Sequence, residues 1–328
     1  MSLWLKKPVI RQREKEPIMA VQFSPDDRQL AVGSFDGCVH IYDLNSSLSI
    51  ADFTLTREAW ADQNTKLPCT SVRFHPNHST LLVCGSDGTL EKRDIRAPEA
   101  AVWHFKEVGN EVYCCDYRRD GTLFATAGAD GTLRVYDDIT NQILLEYATN
   151  VEHAVNTQAV RLYSVCFSPD DPNIILTCGW ANMIHFADLR ENHINKQKEI
   201  YGPFMIGDAL DIRGGTILAG CNKLDARLML YDAQTQHPTE LPWPTRNEFL
   251  PLCCKFSRDA LGEFIACGGG GTNGLVDAGF VVDRKSGKCV VDVTMDGSVN
   301  ACAFGWKDSK VAFGDAAGTV QIFERGKK

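Results

Sequence analysis

Between residues 111 and 138 the chain reads EVYCCDYRRDGTLFATAGADGTLRVYDD, short runs of β-branched, aromatic and small residues cut twice by Asp-Gly. The pattern predicts three strands, at 112–118, 123–128 and 132–137, joined by tight turns at Asp120-Gly121 and Asp130-Gly131. Asp-Gly pairs accept positive φ angles, so each junction is expected to be a two-residue hairpin turn.

The pattern recurs at 17–44, 67–95, 161–189, 205–233, 251–284 and 298–325. One apolar marker near the end of each first strand is Phe23, Phe74, Tyr117, Phe167, Ile212, Phe256 or Phe304, at successive gaps of 51, 43, 50, 45, 44 and 48 residues. A period in the forties with three or four strands per unit predicts a propeller. Third strands end in Tyr42-Asp43, Arg93-Asp94, Tyr136-Asp137, Ala187-Asp188, Tyr231-Asp232, Val282-Asp283 and Phe323-Glu324, and F-S-P-D-D turns stand at 23–27 and 167–171. On these features the chain resembles the WD-repeat β-propeller family. No repeat carries that family's Gly-His dipeptide or a Trp before the strand-ending Asp, so the His–Asp network of the family is not expected in each blade.

The expectation is an all-β, single-domain, seven-bladed propeller of four-stranded antiparallel blades, with repeats near 17–56, 67–107, 111–150, 161–202, 205–244, 251–295 and 298–325. Candidate fourth strands occupy 48–56, 100–106, 142–147, 195–200, 238–243 and 288–294, one fewer than the blades. The apolar piece at 3–10 is predicted to supply the seventh by closing the ring as an outer strand, where Pro8 needs no N–H partner on a solvent edge.

Composition adds limits. A formal net charge of −8 argues against a general nucleic-acid binder. No apolar run approaches the roughly 18 residues of a membrane span, and 1–15 lacks the features of a secretory signal. The thirteen cysteines show no disulfide spacing, which predicts a reduced, cytoplasmic protein, with nucleus, cilium and cytoskeleton as further settings. Cys84, Cys166, Cys178, Cys253, Cys267 and Cys302 fall where other repeats place small residues, and are expected to pack as small hydrophobes; Cys114-Cys115 and Cys253-Cys254 should point to opposite strand faces.

Catalytic signals are weak. GGGGTNG at 268–274 lacks the Lys-Ser/Thr of a phosphate-binding loop and reads as a loop between strands. GSFDG at 33–37 places its Ser second, which is no nucleophile elbow. His75 and His78 lie in a turn without further ligands; His40 and His185 fall on third strands, and Asp36, Asp87 and Asp130 recur in hairpin turns. No catalytic residue, metal or cofactor is expected, and a metal-dependent propeller hydrolase is the remotest reading.

The resemblance implies a partner-binding face formed by the loops between second and third strands and those entering each first strand. Phe35, Trp60, Trp180, Asn182 and Phe249 are the candidate contacts there for a protein or peptide, because aromatic residues anchor interfaces. The predicted function is a non-catalytic scaffold within a larger complex. A second reading rests on Asp94-Ile95-Arg96 and Asp188-Leu189-Arg190, similar to the motif of WD-repeat substrate receptors of cullin-RING ubiquitin ligases; Arg96 and Arg190 would touch the adaptor.

Overall fold

A computed structural model describes residues 4–11, 15–56, 66–149, 160–191, 198–223, 227–271, 275–307 and 309–326. Seven antiparallel sheets follow one another along the chain, six of them from four consecutive strands. Blade three is typical: Val112–Tyr117 lies innermost, then Leu123–Gly128, Thr132–Asp137 and Ile143–Ala148. The seventh sheet combines Val299–Phe304, Lys310–Asp315 and Thr319–Arg325 with the chain's first residues. Trp4–Lys6 pairs with Arg325 to Phe323, and Ile10–Arg11 with Val320 and Thr319, so the N-terminal segment closes the ring. The outer strand is in two pieces, Trp4–Lys6 and Ile10–Arg11, with Pro8 between them, instead of the one continuous strand expected over 3–10. Trp4 anchors the closure edge-on to Phe264 and Phe304, at 5.6 and 6.4 Å between ring centroids.

Asp27, in the first F-S-P-D-D turn, joins blade one to blade seven by accepting from the backbone N–H of Trp306 (2.6 Å) and Lys307 (2.8 Å). In the second such turn Asp170 accepts from the N–H of Gly215 in blade five at 3.0 Å. The core is a series of apolar layers between neighbouring blades, and Phe23, Phe124, Phe256 and Phe313 are among its fully buried side chains. Each such ring contributes about 1.5–3 kcal/mol relative to exposure.

The Asp-Gly turns differ from expectation. Only the glycine has positive φ (Gly37 87°, Gly88 90°, Gly131 70°), and the loop of blade three has three residues between Gly128 and Thr132. Asp130 uses its carboxylate instead of a left-handed backbone, accepting from Thr132 N–H at 2.9 Å; Asp36 and Asp87 do the same for Cys38 and Thr89. Blade four puts Asn182 at the glycine position, with φ 55°.

Gly268, Gly269 and Gly270 also differ: they end the strand Phe264–Gly270 and form no loop. A Cβ on Gly269 would stand 1.9 Å from the carbonyl oxygen of Leu250, and one on Gly268 2.4 Å from Val299, so the glycines let blades six and seven close on this strand. Residues 272–274 lie outside the described set. The fourth strand of blade four is only Ile200–Tyr201 among the described residues, which exclude 192–197.

All thirteen cysteines are described, none is disulfide-bonded, and eleven are buried. Cys84, Cys178 and Cys267 sit on second strands and the others of their group on first strands. Cys114 faces blade four, its thiol 3.9 Å from Val165 O, and Cys115 faces blade two, 3.4 Å from Ser71 Oγ. Opposite faces are both interior because each first strand is covered on two sides.

Candidate functional site

The first strands surround a central channel with a cavity of about 200 Å³. Its upper mouth lies where chains enter first strands; its lower mouth carries the turns from first to second strands. In six blades the ladder slips four residues before the apolar marker, at Met19, Thr70, Tyr113, Tyr163, Leu252 and Asn300. Such bulges redirect a side chain, and Met19, Thr70, Tyr113 and Asn300 line the channel. Blade five has Asp208 at this position. One residue before each marker stand Gln22, Arg73, Asp116, Cys166, Asp211, Lys255 and Ala303, all lining the channel lower down.

These side chains form a charged lattice. Asp208 accepts from Arg73 Nη2 at 2.8 Å, Lys255 Nζ at 2.7 Å and Ser164 Oγ at 2.6 Å. Burial alone would raise the Asp208 carboxyl; the charges of Lys255 and Arg73 and the hydrogen bonds outweigh it and hold the group well below the usual carboxylate range. Lys255 is likewise pushed up, because Asp208 and Asp211 overcome its desolvation. Asp116 lies 3.7 Å from Arg73 Nε, yet burial raises it against that attraction. Alternate blades also clasp their successors. Gln22 accepts from Phe74 N–H, Asp116 from Phe167 N–H at 2.9 Å, and Asp211 from Phe256 N–H at 2.8 Å. The Asp208 cluster is suited to holding blades in register, because it ties Arg73, Ser164 and Lys255 of blades two, four and six to blade five.

At the upper mouth an aromatic cluster bridges blades three and four. Tyr113 and Tyr163 stack at 4.6 Å with 5° between their planes, and Trp180 lies 5.9 Å from Tyr163. The Arg161 guanidinium sits 5.1 Å over Trp180 and donates to the Tyr113 hydroxyl at 2.6 Å. Trp180 is 43% exposed, so the cluster presents an indole, a phenol edge and a cation to solvent.

The sequence candidates scatter. Phe35 is 39% exposed on blade one, well separated along the ring from Trp180, and Asn182 is exposed beside Trp180 on the same turn. Phe249 needs correction: it is fully buried, packed 4.9 Å from Trp243 and 5.7 Å from Phe280, so it is core and not a surface contact. Its strand-entry position turns it inward, into the apolar layer that Trp243 and Phe280 share. Trp60 and most of 151–160 lie outside the described residues. Arg96 and Arg190 are exposed, and each folds back bidentately on its own motif's Asp, Arg96 Nη2 to Asp94 at 2.7 Å and Arg190 Nη2 to Asp188 at 2.7 Å. Arg190 also reaches Asp171 at 3.1 Å.

Sequence reasoning missed Tyr113, Tyr163 and Arg161 as companions of Trp180, and missed the charged channel. A signal was present for the channel: Gln, Arg, Asp and Lys immediately before an apolar marker, in strands buried on both faces, have nowhere but the axis to point.

A family model described as WD domain, G-beta repeat, matches residues 7–43, 62–91 and 102–137. Similar curated proteins include the APC/C activator protein CDC20 of Saccharomyces cerevisiae, 27% identical over 176 residues, covering 53% of this chain and 26% of that protein. WD repeat-containing protein 91 of Danio rerio is 22% identical over 72% of this chain and 34% of its own length. The GATOR2 complex protein WDR24 of Danio rerio is 27% identical over 42% of this chain and 17% of its own length. The chain thus spans about a third or less of the length of these relatives.

Proposed function

We propose, from the premise that this chain belongs to the WD-repeat β-propellers, that it is a non-catalytic adaptor holding a protein or peptide partner on the upper face. The observation that carries this is the aromatic cluster at Trp180. A half-exposed indole braced by two stacked tyrosines and an arginine combines the residue types that dominate binding hot spots, already held in place before a partner arrives. Phe35 offers a second contact on the same face.

Two relatives support a place in a larger assembly, since one is described as an APC/C activator and the other as a GATOR2 complex protein. The three donors that meet Asp208 from three other blades support a structural use for that carboxylate. The reading includes a reducing, cytoplasmic setting, which the burial of eleven thiols as packing groups supports.

The test compares partner recovery by wild type, Trp180→Ala/Tyr163→Ala and Phe35→Ala in quantitative affinity purification, with melting curves alongside. The double variant is expected to melt as wild type and lose its partners, and Phe35→Ala to lose part of the recovery. Full recovery with the double variant would refute the assignment.

A further inference from the structure

Two thiols meet where blades six and seven pack together. Side chains alternate across a first strand, so the residue three before the apolar marker faces the next blade and the residue two before it faces the previous one. Ser71 and Cys115 stand in this relation with Oγ and Sγ 3.4 Å apart, and Cys254 lies 3.0 Å from the carbonyl oxygen of Ala209. The ring makes seven such pairs of positions, and only Cys253 with Cys302 places a thiol on both sides.

Each of the two reaches across the interface. Cys253 Sγ lies 3.6 Å from Val299 O of blade seven, Cys302 Sγ lies 4.0 Å from Ala266 O of blade six, and the thiols hydrogen-bond to each other. Both belong to the apolar layer that holds Trp4, and both line the channel cavity. The thiols of Cys84 and Cys115 also meet, between blades two and three, but both are fully buried and neither lines that cavity.

We propose that Cys253 and Cys302 are an oxidation site, at which hydrogen peroxide entering the channel joins the pair as a disulfide that ties blade six to blade seven. A cavity of about 200 Å³ admits a molecule of that size. Cys302, the more exposed of the two at 6% against 1%, reacts first. Its sulfur attacks one peroxide oxygen, the O–O bond breaks, water leaves and the thiol becomes a sulfenic acid. The Cys253 sulfur then attacks the Cys302 sulfur; the S–S bond forms, the S–O bond breaks, and the hydroxyl leaves as water with the Cys253 proton. The two thiols together lose two electrons and two protons to one peroxide. Burial and the hydrogen bond with Cys302 hold the Cys253 thiol well above its ordinary range, so it does not meet peroxide as a thiolate. Its part is the second step, where contact with the sulfenic acid stands in for nucleophilic strength. The link joins residues 49 positions apart, beside the Trp4 closure, and does not depend on the adaptor reading.

Non-reducing peptide mapping of the full chain after hydrogen peroxide treatment tests it, with remaining thiols blocked in denaturant and a melting curve alongside. The expected product is a Cys253–Cys302 link that appears before any Cys84–Cys115 link, is removed by dithiothreitol, and raises the melting temperature by about 5 °C or more. Cys302→Ser should abolish the link and Cys254→Ser should leave it. Cys253→Ser should leave Cys302 as a sulfinic acid, because no thiol then resolves the sulfenic acid. No such link before the chain unfolds, a link from Cys254 in its place, or a Cys84–Cys115 link formed equally fast overturns the site. An unchanged melting temperature in the linked protein overturns the tie between blades. If the variants fail to fold, the map and melt of wild type decide by the same outcomes.

Discussion

Blades three and four are neighbours with opposite characters. Blade three is tied together by Glu107, which enters from the preceding loop. One of its oxygens accepts from Thr126 Oγ1 at 2.6 Å and Tyr136 OH at 2.7 Å, the other from Asn110 Nδ2 at 2.6 Å and Arg134 Nη1 at 3.0 Å. Arg134 then seals the hairpin by donating to Asp130 at 2.6 Å, and the outer strand runs Ile143–Ala148. Blade four offers His185 to Glu199 at 3.2 Å, with His185 Nε2 buried and unbonded, a turn with Asn182 in the left-handed region, and an outer strand of two described residues. The exposed Trp180 belongs to this second blade. Where a buried carboxylate satisfies two strands and its own loop at once, the hairpin is sealed and unremarkable; where it does not, the turn is released to carry an aromatic surface.

The largest break of this comparison is Glu107→Ala. It leaves the buried hydroxyls of Thr126 and Tyr136 without their acceptor and takes one of three carboxylates from Arg134, and should cost about 4 kcal/mol in urea unfolding, against about 1 kcal/mol for His185→Ala. Equal losses would show that the two blades are held alike. Trp4→Ala, which empties the contact with Phe264 and Phe304 at the ring closure, should cost about 3 kcal/mol by the same measurement, whereas Leu5→Ala on the exposed side of that strand should leave the midpoint unchanged.

Acid separates the blades further. Asp138 binds Lys92 Nζ at 2.6 Å and Tyr117 OH at 3.0 Å and lies 3.4 Å from His75 Nε2, linking blades two and three. Burial opposes its ionisation, but those hydrogen bonds and the Lys92 charge bring its carboxyl down to about 2, from 3.8 unfolded. A depressed folded value means that this stabilisation, about 2 kcal/mol, is complete above pH 4 and disappears as pH falls toward 2. Asp138→Asn should therefore flatten the loss of stability between pH 5 and pH 2; an unchanged slope would mean that the link contributes nothing.

Trp180→Ala should move the unfolding free energy by less than about 1 kcal/mol while partner recovery falls, which separates the surface role of blade four from the structural role of blade three. Smallest of all, Arg96→Ala and Arg190→Ala should leave the melt unmoved, because both are exposed side chains paired with carboxylates on their own strand ends. A clear drop in melting temperature would give these clamps a structural weight that their exposure does not suggest.

Most of the architecture was legible, for local reasons. Strand runs, Asp-Gly turns and the spacing of Phe23 to Phe304 are written within a few residues of one another, and the count of outer strands pointed to the N-terminal segment as the missing edge. The site was legible only in part. Trp180 stands out because it replaces a small turn residue, but Tyr113 joins it from the neighbouring blade and Arg161 from the approach to the first strand of its own, and Phe249 looked like its companion until its direction was known. Even the hairpin geometry depended on side-chain chemistry: Asp130 has a backbone able to adopt a left-handed turn and uses its carboxylate instead.

By itself, then, the sequence determined the number of blades, their order and the closing of the ring, because hydrophobic periodicity and turn chemistry act over the length of one strand. Tertiary structure alone decided which polar groups meet. Arg73, Ser164, Asp208 and Lys255 come from four blades, and nothing in their sequence spacing announces that one carboxylate will receive three donors. That meeting follows from closing seven sheets around an axis, which brings distant residues within 3 Å and removes the water that would otherwise have satisfied each of them alone.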